Sequence, residues 1–146
     1  MSLVYIQFGD FLETLQRFQE GGGETYMAQR YSVDYVVEQA RALAVRRDSA
    51  VTVISLEAAS AYDEMPSPGL RVMGIDYYGG EKKALFRALS ALKPRAVILR
   101  TPIVPVMYWC WLKGVKMLPL LADSFAGDAP TFKNRIKHAA MRFVLN

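Results

Sequence analysis

Ala50-Val51-Thr52-Val53-Ile54-Ser55-Leu56 and Ala96-Val97-Ile98-Leu99 are the stretches on which the fold turns. Both are short, nearly unbroken apolar runs, rich in β-branched residues. A strand that is apolar at successive positions, and not only at every second one, has both of its faces covered. Ahead of the first run, Val33, Val36, Val37, Ala40, Leu43 and Ala44 recur at spacings of three and four, the stripe of a helix. Thr25 offers that helix a capping hydroxyl, and Arg46-Arg47 fall near its end, where cations suit the dipole. Glu38 and Arg41, three apart, suit its solvent face. Further back, Leu3-Val4-Tyr5-Ile6-Gln7-Phe8 reads as a strand ending at Gly9-Asp10. Residues 10–24 read as a long connection with a Gly21-Gly22-Gly23 run, in which Phe11, Leu12 and Leu15 allow a helical turn. Downstream of residue 56, Pro66, Pro68 and Gly69 mark a loop. Leu70 to Asp76 alternates and predicts a third, more exposed strand. Leu85, Ala88, Leu89 and Leu92 form another helical stripe, closed by Lys93-Pro94. Pro105 to Lys113 predicts a short buried helix, and 116–122 a fifth strand in which Pro119 calls for an edge or a bend. Thr131 to Val144 reads as a last, basic helix. The order is β-α-β-β-α-β-α-β-α. Right-handed crossovers then predict a doubly wound, mostly parallel sheet of five or slightly more strands, with helices on both faces and one domain over 1–146.

Composition agrees. The 146 residues are 52% hydrophobic and 22% charged, which excludes disorder and supplies one domain's core. One cysteine, Cys110, excludes a disulfide framework and a multi-Cys metal site, and one histidine, His138, excludes a His-rich one. No metal site is expected. His138 reads as a surface or packing residue, Cys110 as a buried thiol, and Tyr31 and Tyr35 as partial core. The net charge of +4 leans towards anionic partners, but it is no dense basic stripe, so nucleic acid is not expected. The apolar region 104–121 is broken by Lys113, Gly114 and Lys116 and does not read as a membrane span. No secretory signal stands at the start, and a cytoplasmic location is expected.

In a doubly wound sheet, ligands bind beyond the carboxyl ends of the strands. Those segments are 9–25, 57–60, 100–102 and 123–127. Gly22, Gly23, Glu24 and Thr25 form a glycine-rich entry to a helix, where a backbone approaches a phosphate closely and helix N–H groups meet it. The spacing is neither a dinucleotide fingerprint nor a Walker loop. Arg100 follows an apolar strand and is placed to grip a phosphate or carboxylate, with Thr101 beside it. Asp123 and Ser124 follow the fifth strand, as a base, a hydroxyl acceptor or a cap.

These stretches together resemble the N-terminal domain of GT-B-fold glycosyltransferases, especially the family-4-like group. Gly22-Gly23-Glu24-Thr25, the helix through Val36–Leu43 and the strand 50–54 look like that family's glycine pair, first helix and second strand. Residues 89–98 look like its helix, Lys-Pro corner and fourth strand. Residues 117–125 are similar to its fifth strand and acceptor-side loop. The resemblance spans nearly the whole chain. It implies a Rossmann-like fold, with Gly22 and Gly23 approaching the donor diphosphate. It implies an acceptor-binding half that is inactive alone. The nucleotide-sugar donor would be held by a missing C-terminal domain, and no cofactor by this chain. The acceptor would be a sugar or a lipid-linked hydroxyl. Two departures stand out: no two glutamates lie eight apart, and Arg100-Thr101 stands where many members place a histidine. The chain therefore reads as a piece of a longer two-domain enzyme. Peripheral membrane contact is a further expectation, through the basic last helix and Val106-Met107-Tyr108-Trp109. Two alternatives remain: a non-catalytic binding or interaction module, since one such sheet hosts many functions, and a self-contained flavodoxin-like enzyme, against which the long 10–24 segment argues.

Overall fold

A computed structural model of the chain describes residues 2–21, 27–45, 50–100 and 103–119, with the side chains of 27–32 left aside. It is a mixed α/β structure. In chain order the elements are β1 (Ser2–Gln7), α1 (Phe11–Gln19), α2 (Met27–Ala44), β2 (Ala50–Ser55), β3 (Glu57–Ser67), β4 (Leu70–Asp76), α3 (Lys82–Leu92), β5 (Ala96–Leu99), α4 (Val104–Lys113) and β6 (Lys116–Pro119). Six strands form one sheet in the order β3-β4-β2-β1-β5-β6. Every neighbouring pair is parallel except β3 with β4.

The apolar runs are explained by the register. Tyr5 lies between Val53 and Ile98, and Ile6 between Ile54 and Leu99. The first set faces α1 and α2 and packs on Phe11, Leu12, Val33, Val36 and Ala40. The second set faces the other way and packs on Leu85 and Leu89 of α3 and on Val106, Met107 and Cys110 of α4. Two cores thus sandwich one sheet, and the central strands must be apolar at both parities.

Four sequence expectations change. Residues 57–67 are not a loop but an edge strand, antiparallel to β4, so the sheet has a sixth strand that runs against the others. The strand at 70–76 is consequently interior and not exposed: Leu70 and Val72 are fully buried. The 10–24 connection contains a nine-residue helix, α1, with Phe11, Leu12 and Leu15 buried. Tyr35 is exposed on α2 and is not core. The Glu38–Arg41 pair forms at 2.6 Å on the solvent side of α2. Pro119 does fall in the last strand of the order, among the described residues. The predicted helix 131–144 with His138, the end of the predicted strand 116–122, and the Thr25 cap lie outside them.

Gly69 fixes the direction of α2. It sits at φ +79, immediately before β4, and a Cβ there would lie 2.5 Å from the Ala44 Cβ and 2.9 Å from the Ala40 carbonyl oxygen. The carboxyl end of α2 therefore rests at the amino edge of the sheet. Its Met27 end points towards the edge where the parallel strands finish. Among the described residues no helix is long and apolar enough to cross a membrane.

Candidate functional site

The chain winds outward from β1 in both directions, to β2 and β4 on one side and to β5 and β6 on the other. Between the carboxyl ends of β1 and β5 the connections diverge, the switch point at which sheets of this kind form their ligand crevice. Gln7 ends β1 and Arg100 follows β5. The Arg100 backbone N–H donates to the Ile6 carbonyl at 3.0 Å, continuing the ladder, and its Nη1 donates to Gln7 Oε1 at 2.8 Å. Alternation puts Arg100 on the α2 face, beside Tyr5. Burial pulls the guanidinium pKa down, and the nearby Tyr5 opposes this. Tyr5 is fully buried, and its hydroxyl donates to Gln39 Oε1, whose Nε2 donates to the Tyr35 hydroxyl at 2.6 Å. Burial, reinforced by Tyr35, pushes the Tyr5 phenol up to about 12. The crevice therefore holds a half-buried cation over neutral groups. Among the described residues, no carboxylate pairs with Arg100. Its hydrogen bond to Gln7 uses one of five guanidinium donors.

The start of α1 lies on the same edge and is already filled. Asp10 Oδ1 accepts from the Leu12 and Glu13 N–H groups at 3.0 and 3.2 Å, and the Phe11 N–H donates to Ser55 Oγ at 2.9 Å. The Tyr62 hydroxyl donates to the same Asp10 oxygen at 2.6 Å and lies 3.3 Å from Ser55 Oγ. Burial and then the Asp10 carboxylate raise the Tyr62 phenol well above its usual range. Tyr62 crosses from β3 because position 74 carries no side chain: a Cβ there would lie 2.2 Å from the ring. The protein's own carboxylate thus occupies the helix terminus that a simple phosphate cradle after the first strand would use.

On the other face of the same edge, Phe8 and Tyr78 stack with centroids 5.3 Å apart and remain 39% and 52% exposed. Tyr77 meets Tyr78 edge-on, and Lys82 lies 5.9 Å over the Tyr77 ring. Glu57 Oε2 accepts from the Gly9 N–H at 3.3 Å, and Asp76 Oδ1 holds the following turn through the Gly79 N–H at 2.7 Å. The edge thus offers a half-buried cation, Arg100, for an anionic group, an exposed aromatic surface for a ring, and carboxylates able to accept from hydroxyls.

Of the residues singled out from sequence, Arg100 stands at this crevice. Gly22, Gly23, Glu24, Thr25, Thr101, Asp123 and Ser124 lie outside the described residues. Sequence reading missed Gln7, the Phe8–Tyr78 pair and the Asp10–Ser55–Tyr62 cluster. One signal was available: Asp10 followed by Glu13, ahead of an apolar pair, is a helix-start pattern. Cys110 is buried as expected, and burial pushes its thiol up to about 11. Val106 and Met107 are fully buried, which removes them from any membrane contact. Among the described residues no cluster of three or more His, Cys, Asp or Glu could hold a metal ion. No protein-family model matches the sequence, and no curated protein or solved structure matches it significantly.

Proposed function

We propose that this chain is a Rossmann-like, doubly wound domain serving as the acceptor-binding half of a glycosyltransferase that moves a sugar from a nucleotide-sugar donor to a hydroxyl. With β3 set aside, the parallel strands run β4-β2-β1-β5-β6, the order in which each half of such a sheet winds away from its first strand. The observation that carries the reading is Arg100. It is a half-buried arginine at the point of divergence, tethered to a neutral glutamine. In this reading Arg100 anchors a phosphate or carboxylate of the acceptor. The exposed Phe8–Tyr78 surface supports its ring, and Glu57 accepts from its hydroxyls. The resemblance assigns Gly22, Gly23, Glu24 and Thr25 to the donor diphosphate, and Thr101, Asp123 and Ser124 to the acceptor side. The acceptor oxygen bonds to the anomeric carbon as the bond from that carbon to the nucleoside diphosphate breaks and the hydroxyl proton is released. Positioning and stabilisation of the departing charge supply the rate. The donor is held by a second domain, so these 146 residues transfer no sugar alone.

The test is sugar transfer by the full polypeptide encoded by the reading frame, assayed over a panel of nucleotide sugars and hydroxyl acceptors. Arg100→Ala is expected to raise the acceptor KM by about 10- to 100-fold, the loss of a charge-assisted hydrogen bond to a partly buried group, with Arg100→Lys intermediate. A folded full-length protein that transfers no sugar overturns the reading. The occupied α1 terminus favours one second reading, a non-catalytic module. That reading expects Arg100-dependent anion binding with no turnover.

A further inference from the structure

From Lys82 to Pro119 the chain carries eight lysines and arginines and not one aspartate or glutamate. The rest of the chain is net acidic, so this basic charge is concentrated and not the tail of a general excess. Five of the eight, Lys82, Lys83, Arg87, Lys93 and Lys113, belong to α3 and α4 or their ends. α3 and α4 cover the same face of the sheet, with Leu85 and Leu89 of one and Val106, Met107 and Cys110 of the other turned inward. Lys83 and Arg87 are exposed on α3. The exposed side of α4 is not polar. Tyr108 is 55% and Leu112 57% exposed, and Trp111, stacked on Tyr108 at 5.8 Å, is 50% exposed. A helix apolar on all sides ordinarily has both sides covered. Between the carboxyl ends of the two helices runs a groove of about 320 Å³. Its walls are Leu89, Pro94, Trp109 and Val115, and Lys93 and Lys113 stand at its lips.

We infer that the α3–α4 face docks on an anionic phospholipid bilayer. Tyr108, Trp111 and Leu112 enter the boundary between headgroups and acyl chains, where amphipathic aromatic rings are favoured. Lys83, Arg87, Lys93 and Lys113 meet the lipid phosphates around them, the pairing of apolar and basic surface that interfacial binding requires. A nucleic acid would match the charge alone. Leu112 has nothing to gain from phosphodiesters, and the two rings are stacked on each other rather than spread as platforms for bases. Arg100 lies on the opposite face of the sheet, so this inference stands apart from the acceptor site.

The test is flotation of the 146-residue chain with phosphatidylcholine vesicles, with and without about 30% phosphatidylglycerol, at ~0.05 M and ~0.5 M salt. Both tryptophans of the chain, Trp109 and Trp111, lie on α4. Quenching of tryptophan emission by brominated lipid therefore reports this helix alone. Binding is expected only with the anionic lipid, weakened at high salt and accompanied by quenching. Tyr108→Ser with Leu112→Ser, and separately Lys83→Glu with Arg87→Glu, are each expected to weaken binding by about tenfold or more while the far-ultraviolet circular dichroism is unchanged. Arg100→Ala is expected to bind vesicles as before. Absence of flotation with anionic vesicles, flotation without quenching, or displacement from vesicles by a single-stranded oligonucleotide at equal phosphate overturns the inference.

Discussion

Position 74 shows how one missing side chain sets the geometry of an edge. A Cβ there would press on the Tyr62 ring at 2.2 Å and on the Ala58 Cβ at 2.6 Å. Tyr62 is held on its far side by Asp10 and Ser55, so the ring has little room to yield. Gly74→Ala is expected to destabilise the protein by about 1–3 kcal/mol, the usual cost of overpacking. The double variant with Tyr62→Ala should lose clearly less than the two single losses added, because the clash goes with the ring. Urea midpoints of the four proteins check this, and strict additivity would mean that the ring is not what Gly74 accommodates. Arg100 behaves differently. It is half-buried but bonded to a neutral glutamine, so its replacement strands no opposite charge and should leave the midpoint nearly unmoved while affecting ligand affinity.

The elements show the same logic over longer stretches. α1 is nine residues long, too short to persist by propensity alone, and is fixed by its ends and its apolar side. Asp10 caps it and also accepts from Tyr62. Asp10→Ala should cost about 2 kcal/mol, the sum of a lost cap and a weakened buried hydrogen bond. Asp10→Asn keeps the accepting oxygen and should cost less than about 1 kcal/mol. Thermal melts followed by circular dichroism distinguish the two, and equal losses would assign the effect to charge rather than to the accepted hydrogen bonds. The strands at 50–55 and 96–99 were legible because residues buried on two faces leave a continuous apolar run, and the strand at 70–76 because its residues alternate. β3 was not. As an edge strand it buries Ala58 but leaves Ala59, Ser60, Ala61, Asp63, Glu64 and Met65 exposed, and Pro66 near its end reads as a loop signal. The site divides in the same way. Arg100 was legible because a charge directly after a buried run must sit at a strand end. Gln7, Tyr78 and the Asp10–Tyr62 contact were not, because each depends on a partner tens of residues distant, and β3 had to be recognised before Tyr62 could be placed at all.

At the scale of the whole molecule, two ionisable groups are sealed on opposite sides of the sheet, Tyr5 under α2 and Cys110 under the α3–α4 layer. Both are held neutral, with the phenol pushed up to about 12 and the thiol up to about 11. The unfolded chain ionises at the ordinary thiol and phenol values, which lie lower. Stability from these groups is therefore complete below those values and is lost as pH rises towards the folded ones. The urea midpoint should be level from about pH 7 to about 8.5 and fall steadily above that, since about 8.5 is the ordinary thiol value. A midpoint level through about pH 11 would show that neither group is shielded. The concentration of positive charge over residues 82–119 belongs to this scale as well, since no single helix accounts for it.

The direct turn from β2 into β3 carries a kinetic consequence. A fully parallel sheet must close a long crossover before any two strands meet, and this makes such sheets slow to form. Here the antiparallel pairing of β3 with β4, and then of β4 with β2, is completed within residues 50–76. That segment can assemble from near neighbours in the chain and offer a finished template to β1, β5 and β6. Pulse-labelled hydrogen exchange during refolding should find its amides protected ahead of those of β5 and β6, and simultaneous protection across the sheet would assign nucleation to the long-range pairings instead.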